Sequence, residues 1–143
     1  ADGTRLTIAG KLENGMAYSL FAVDKVGDME ALLVVDSAAA PAAGKAMVRF
    51  VHLSPDAPAF DIAAAEPGGA PLFSGKSFKQ ATAFQEVDAN TYDFHIRTAG
   101  GTDTVLSAED VEILTGRYYT IITRGFVNPP AGNTNVLSVE VLD

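Results

Sequence analysis

Thr91-Tyr92-Asp93-Phe94-His95-Ile96-Arg97 alternates apolar and polar side chains without a break. A strand sends successive side chains to opposite faces, so Tyr92, Phe94 and Ile96 are expected inward and Asp93, His95 and Arg97 on a solvated polar face. Outward from this segment, Tyr118 to Thr123 and Val136 to Leu142 are rich in the aromatic and β-branched residues that pleated sheets favour. Met47 to Leu53 is a fourth run and Phe84 to Val87 a shorter fifth. Turn clusters separate them: Ser54-Pro55-Asp56-Ala57-Pro58, Glu66-Pro67-Gly68-Gly69, Ala99-Gly100-Gly101 and Asn128-Pro129-Pro130. No stretch carries a helical period. Short strands punctuated this way predict an all-β sandwich or barrel. The expected inward set is Phe50, Tyr92, Phe94, Ile96, Tyr119, Ile121, Val139 and Val141.

Composition narrows the function classes. Of 143 residues, 48% are hydrophobic and 20% charged, enough apolar material for a packed core. The net charge of −8, spread along the chain, argues against nucleic acid and anionic membrane surfaces, which need clustered cations. No cysteine is present, which removes disulfides, thiolate metal sites and cysteine nucleophiles together. No run approaches the roughly 20 apolar residues that span a bilayer, so membrane insertion is not expected. The N-terminus, Ala1-Asp2-Gly3-Thr4, does not read as a signal peptide.

The chain repeats itself. Thr4-Arg5-Leu6-Thr7 answers Thr104-Val105-Leu106-Ser107 at a separation of 100, and Leu12 to Leu20 answers Ile113 to Ile121 at 101. Leu32-Leu33-Val34-Val35-Asp36 answers Val139-Glu140-Val141-Leu142-Asp143. The expected organisation is a C-terminal half of a first module over 1–36, an Ala/Pro/Gly linker over 37–44, and a complete module of roughly seven strands over 45–143.

Val48-Arg49-Phe50-Val51-His52-Leu53-Ser54-Pro55-Asp56-Ala57-Pro58-Ala59-Phe60-Asp61-Ile62 is the most distinctive segment. With Leu72 to Phe78, Asn90-Thr91-Tyr92 and Arg97 to Thr102, it resembles the family of domains of unknown function numbered 4397. The resemblance runs along residues 45–143, and residues 1–36 resemble that family's second half. It implies an immunoglobulin-like or transthyretin-like antiparallel sandwich, tandem copies, and an extracytoplasmic bacterial address: secreted, periplasmic or on the cell surface. Asn90 stands where such sequences usually carry glycine. Asn tolerates the left-handed backbone region, so the turn before Tyr92 is expected to survive.

Two sets of residues are candidate sites. His52, Asp56 and Asp61, with Ser54, lie close enough in sequence to form a turn or cation site. Calcium-type sites need six to eight oxygens, however, and a Ser-Pro-Asp turn in which Ser54 and Asp56 bond nearby amides is the plainer reading. The second candidate is the loop from Gly125 to Asn135, in which Phe126, Val127, Asn128, Asn133 and Asn135 suit recognition of a glycan or protein. Catalysis is not expected. His52 and His95 are the only histidines, there is no Gly-x-Ser-x-Gly elbow or His-Glu-x-x-His motif, and Glu86/Asp88 and Glu109/Asp110 read as solvated edges. No cofactor is expected.

These features together predict a non-enzymatic structural or interaction module of a bacterial surface assembly. Its partners would be other chains or copies of itself, supplying strands to the incomplete first copy. The alternative is a carbohydrate- or peptide-binding module that uses its end loops.

Overall fold

The computed structural model describes residues 11–24, 29–36, 38–64 and 70–143. The chain divides into two compact units, residues 1–37 and 38–143. The described residues are all-β, as the alternation at Thr91–Arg97 predicts.

The first unit contains a hairpin of β1 (Tyr18–Val23) and β2 (Glu30–Val35), paired antiparallel. Tyr18, Leu20 and Ala22 share one face with Val35, Leu33 and Ala31, their cross-strand partners. On that face Leu20 is 54% exposed and Val35 44%. The first repeat block, Thr4 to Thr7, lies outside the described residues. Leu20 corresponds to Ile121 and Val34 to Val141 in the repeat. Ile121 pairs with Val141, whereas Leu20 pairs with Leu33, one position away. Leu32 to Val35 is apolar throughout, so a slip of one residue keeps an apolar set on either face and the register is weakly specified.

The second unit is a sandwich of two four-stranded sheets. The strands are β3 (Lys45–His52), β4 (Phe60–Ala63), β5 (Phe73–Lys76), β6 (Gln85–Asp88), β7 (Asn90–Thr98), β8 (Thr104–Ile113), β9 (Tyr118–Arg124) and β10 (Ser138–Leu142). One sheet runs β10-β9-β3-β6 and the other β5-β4-β7-β8. Among its described residues the module has eight strands, where roughly seven are expected, and it is not wholly antiparallel: β3 and β9 run parallel, from Met47↔Tyr118 to His52↔Thr123. A parallel neighbour requires a crossover, which the chain makes by building the opposite sheet between the two. The turn read at 66–69 lies outside the described residues.

Between the sheets, Ala46, Val48, Phe50, Tyr119 and Ile121 meet Phe60, Ile62, Phe73, Phe94, Ile96 and Ile113. Tyr92, Val139 and Val141 pack against this cluster part-buried. β3 is buried along nearly its whole length, on both faces, which accounts for its lack of alternation. Arg49 is buried on its other face, with Nε donating to Thr120 Oγ1 at 2.9 Å and the guanidinium 4.6 Å from the Phe84 ring centre.

Three local expectations need correction. Arg97 is 3% exposed rather than solvated, and stands opposite buried Asp61 in the β4–β7 register. His95 is half-buried opposite Ala63. Asn90 is not among the positive-φ residues; it begins β7 in ordinary strand conformation, so left-handed tolerance is not what admits it.

Residues 38–44 fasten to the second unit. Ala42 N–H donates to Glu86 Oε2 and Gly44 N–H to Thr115 Oγ1, while Tyr118 Oη donates to Ala39 O. Asp88, the neighbour of that glutamate on edge strand β6, pairs with Lys45. Glu109 and Asp110 are exposed on the other sheet's edge strand β8. There Asp110 has φ +53° and its N–H donates to Asp93 Oδ1, at an irregularity in the β7–β8 register. Bulged, acidic edges discourage pairing with other sheets.

Candidate functional site

The distinctive segment occupies the end of β3, the following turn and the start of β4. Its side chains tie together loops at one end of the sandwich. His52 is fully buried and stacks on Phe60 across the two sheets, ring centres 4.9 Å apart and 14° from parallel. Its Nε2 lies 3.0 Å from Pro58 O, and Ser54 N–H points at Nδ1 at 3.3 Å. A carbonyl accepts only, so Nε2 carries the proton and Nδ1 is the acceptor. The imidazole is therefore neutral. Burial pushes its pKa below the ordinary value, offset in part by the hydrogen bond to Pro58 O.

Ser54 and Asp56 act over a long distance in the chain. Ser54 Oγ donates to Gly125 O at 2.7 Å. Asp56 Oδ1 accepts from Val127 N–H at 2.8 Å and Oδ2 from Asn128 N–H at 2.7 Å. The expected bonds within the Ser-Pro-Asp turn are thus replaced by bonds to a loop about 70 residues further on. Asp61 is buried and turns elsewhere: Oδ1 accepts from Gly75 N–H at 2.7 Å, and Oδ2 from Gly100 N–H at 3.0 Å. One carboxylate therefore joins β5 itself to the turn after β7, while the other pins the loop after β9. The backbone of His52 completes the cluster, donating to Gln80 O and accepting from Lys79 N–H.

The 125–137 loop is shaped at its base. Gly125 has φ +84°, and a Cβ there would stand 2.1 Å from Val136 O. Phe126 is half-buried, donates its N–H to Asn135 O, and accepts from Leu137 N–H. Asn133 is half-buried and its Oδ1 takes Asn135 N–H at 2.8 Å. Asn128 and Asn135 are exposed, as are Val127 at 46% and Val136 at 64%.

The structure thus brings His52, Ser54 and Asp56 together with Val127 and Asn128, and separates Asp61 from them. The side chains of His52, Ser54, Asp56 and Asp61 are each committed to backbone groups. Among the described residues no three His, Asp or Glu side chains are grouped to hold a metal ion. An open groove between β5 and the 81–86 segment is lined by Leu72, Phe73, Lys76, Phe84 and Glu86. Gly125, Gly75 and Gly100 are backbone partners of Ser54 and Asp61, a role that placing Gly100 in a turn and Gly125 at the start of a loop does not reveal. Their signal was a glycine directly after or inside a strand-like run, a position that often marks close backbone approach.

A family model described as Domain of unknown function (DUF4397) matches residues 2–63. The span crosses the hairpin, residues 37–44, β3 and β4, so it contains His52, Ser54, Asp56 and Asp61. A search of the curated proteins finds no match.

Proposed function

We propose that this chain, which belongs to the DUF4397 family through residues 2–63, is a non-enzymatic structural or interaction module of an extracytoplasmic bacterial assembly. The observation that carries the proposal is the hairpin's open apolar face, with Leu20 54% and Val35 44% exposed on two strands that, among the described residues, pair only with each other. Two strands have too little core to stand alone, and open edges invite pairing. In support, β9, the sequence counterpart of β1, has β3 parallel at its side and an opposing sheet across its inner face, neighbours of the kind the hairpin would need. Another chain or another copy would supply both. The commitment of the signature side chains to backbone groups supports a scaffold role over chemistry.

Light scattering of the full chain over a range of concentrations tests this. Association that grows with concentration and is abolished by Leu20→Asp with Val35→Asp is the expected result. A monodisperse monomer whose β1 amides resist hydrogen exchange as well as those of β9 would overturn it.

A second reading, binding of a carbohydrate or peptide by the end loops, is favoured by the exposed Val127 and Val136 on a loop that Asp56 holds rigidly. Recognition surfaces are commonly mounted on rigid scaffolds in this way. A glycan array with wild-type protein and Val127→Asp discriminates: signal that the substitution removes supports this reading.

A further inference from the structure

The His52 ring sits in a hydrogen-bonding arrangement that only one protonation state satisfies. Nε2–H donates to Pro58 O, and Nδ1 receives Ser54 N–H. An imidazolium carries a proton on both nitrogens, so protonation would set two donors, Nδ1–H and Ser54 N–H, against each other. It would also place a charge on a ring with no exposure to solvent, packed near Phe50 and Phe60 with ring centres 6.2 and 4.9 Å away. Relief is available locally. Moving Ser54 away from the ring opens the turn, and this same residue holds Gly125 O while Asp56, two residues on, holds the Val127 and Asn128 amides.

We propose that His52 is a proton-operated latch: neutral, it keeps the 125–137 loop docked through Ser54 and Asp56; protonated, it releases the loop while the sandwich stays folded.

The charged groups on the surrounding elements do not stabilise an imidazolium. Asp56 is turned to Val127 and Asn128, and Asp61 to Gly75 and Gly100. Arg124 pairs with Glu140, Lys79 lies over Phe78, Lys76 sits opposite Phe60 and Arg97 opposite Asp61. The direction of the effect follows from linkage. The released state binds a proton that the docked state resists, so acid favours release. The bias begins below the ordinary histidine value of about 6.5 and grows until the docked ring also protonates.

Amide hydrogen exchange on the full chain tests the latch, with intrinsic rates corrected for pH and the range kept above about pH 4.5 so that most carboxylates remain ionised. Protection of the Val127 and Asn128 amides should fall by up to about tenfold for each pH unit below the ordinary histidine value, while the Phe94 and Ile96 amides stay protected. In His52→Gln, which keeps a donor near Pro58 O and cannot titrate, the loop amides should lose that pH dependence. Equal loop protection across the range, or a dependence that survives in His52→Gln, would overturn the latch. Nitrogen-15 spectra of the wild-type ring give a check that does not rely on the variant folding: a neutral Nε2–H ring while the loop is docked supports the latch, and a ring protonated near pH 6.5 with the loop still docked refutes it.

Discussion

Asp56 Oδ2 accepts the amide N–H of Asn128 at 2.7 Å, joining the turn after β3 to the loop after β9 across a sequence distance of 72 residues. The partner oxygen takes the preceding amide, so a single carboxylate fixes two successive peptide units. A bond to a charged acceptor is stronger than a neutral one, and two from one group fix orientation as well as distance.

Asp56→Ala removes both acceptors and should cost about 1–2 kcal/mol, with proteolytic cutting appearing in the 126–135 loop. Asp56→Asn keeps one acceptor oxygen and should lose less. Urea unfolding and limited proteolysis check the order: Ala below Asn below wild type.

Gly125 and Gly132 both have positive φ, +84° and +81°, but only Gly125 has a neighbour in the way, Val136 O at 2.1 Å from a built Cβ. Gly132→Ala should cost about 1 kcal/mol, the left-handed penalty alone. Gly125→Ala should cost more than about 3 kcal/mol, because either the Phe126–Val136 bridge or the end of β9 must move. Equal melting temperatures for the two variants would show that the approach at Gly125 is unimportant.

Phe94 is fully buried in the core between the sheets. Phe94→Ala should lower unfolding free energy by about 3–5 kcal/mol. An unchanged melting temperature would contradict the packing.

Overall stability should also depend on His52. Its pKa is lowered in the folded protein, so its contribution is fully present above about pH 6.5, the ordinary value, and is lost as pH falls toward the lowered one. Wild type and His52→Gln should therefore differ in the slope of stability against pH in that window, wild type falling more steeply. Parallel slopes in denaturant titrations would count against a neutral buried ring.

β7 was legible because its pattern is local: Tyr92, Phe94 and Ile96 sit on one face of a strand whose period is visible in seven residues. The same rule misplaced Arg97, since the face it assigned to solvent is covered where β7 meets Asp61. The segment from Val48 to Ile62 stood out, yet its roles did not. Ser54 and Asp56 were matched to amides within their own turn, and nothing local in Ser-Pro-Asp points to Gly125 or Val127. Strand direction was equally hidden, because β3 and β9 would carry the same apolar residues whether they ran parallel or antiparallel.

The parallel pairing of β3 with β9 has a consequence for how the chain acquires its fold. β3 is buried along nearly its whole length and precedes the other strands of its module in the chain, yet its neighbour from Tyr118 to Thr123 comes about 70 residues later. Closing such a long loop costs entropy before any contact repays it, so folding should be slow and should wait for β9. A nascent chain ending before Tyr118 would carry β3 with one edge bare. That bare edge is open to aggregation until β9 emerges to cover it.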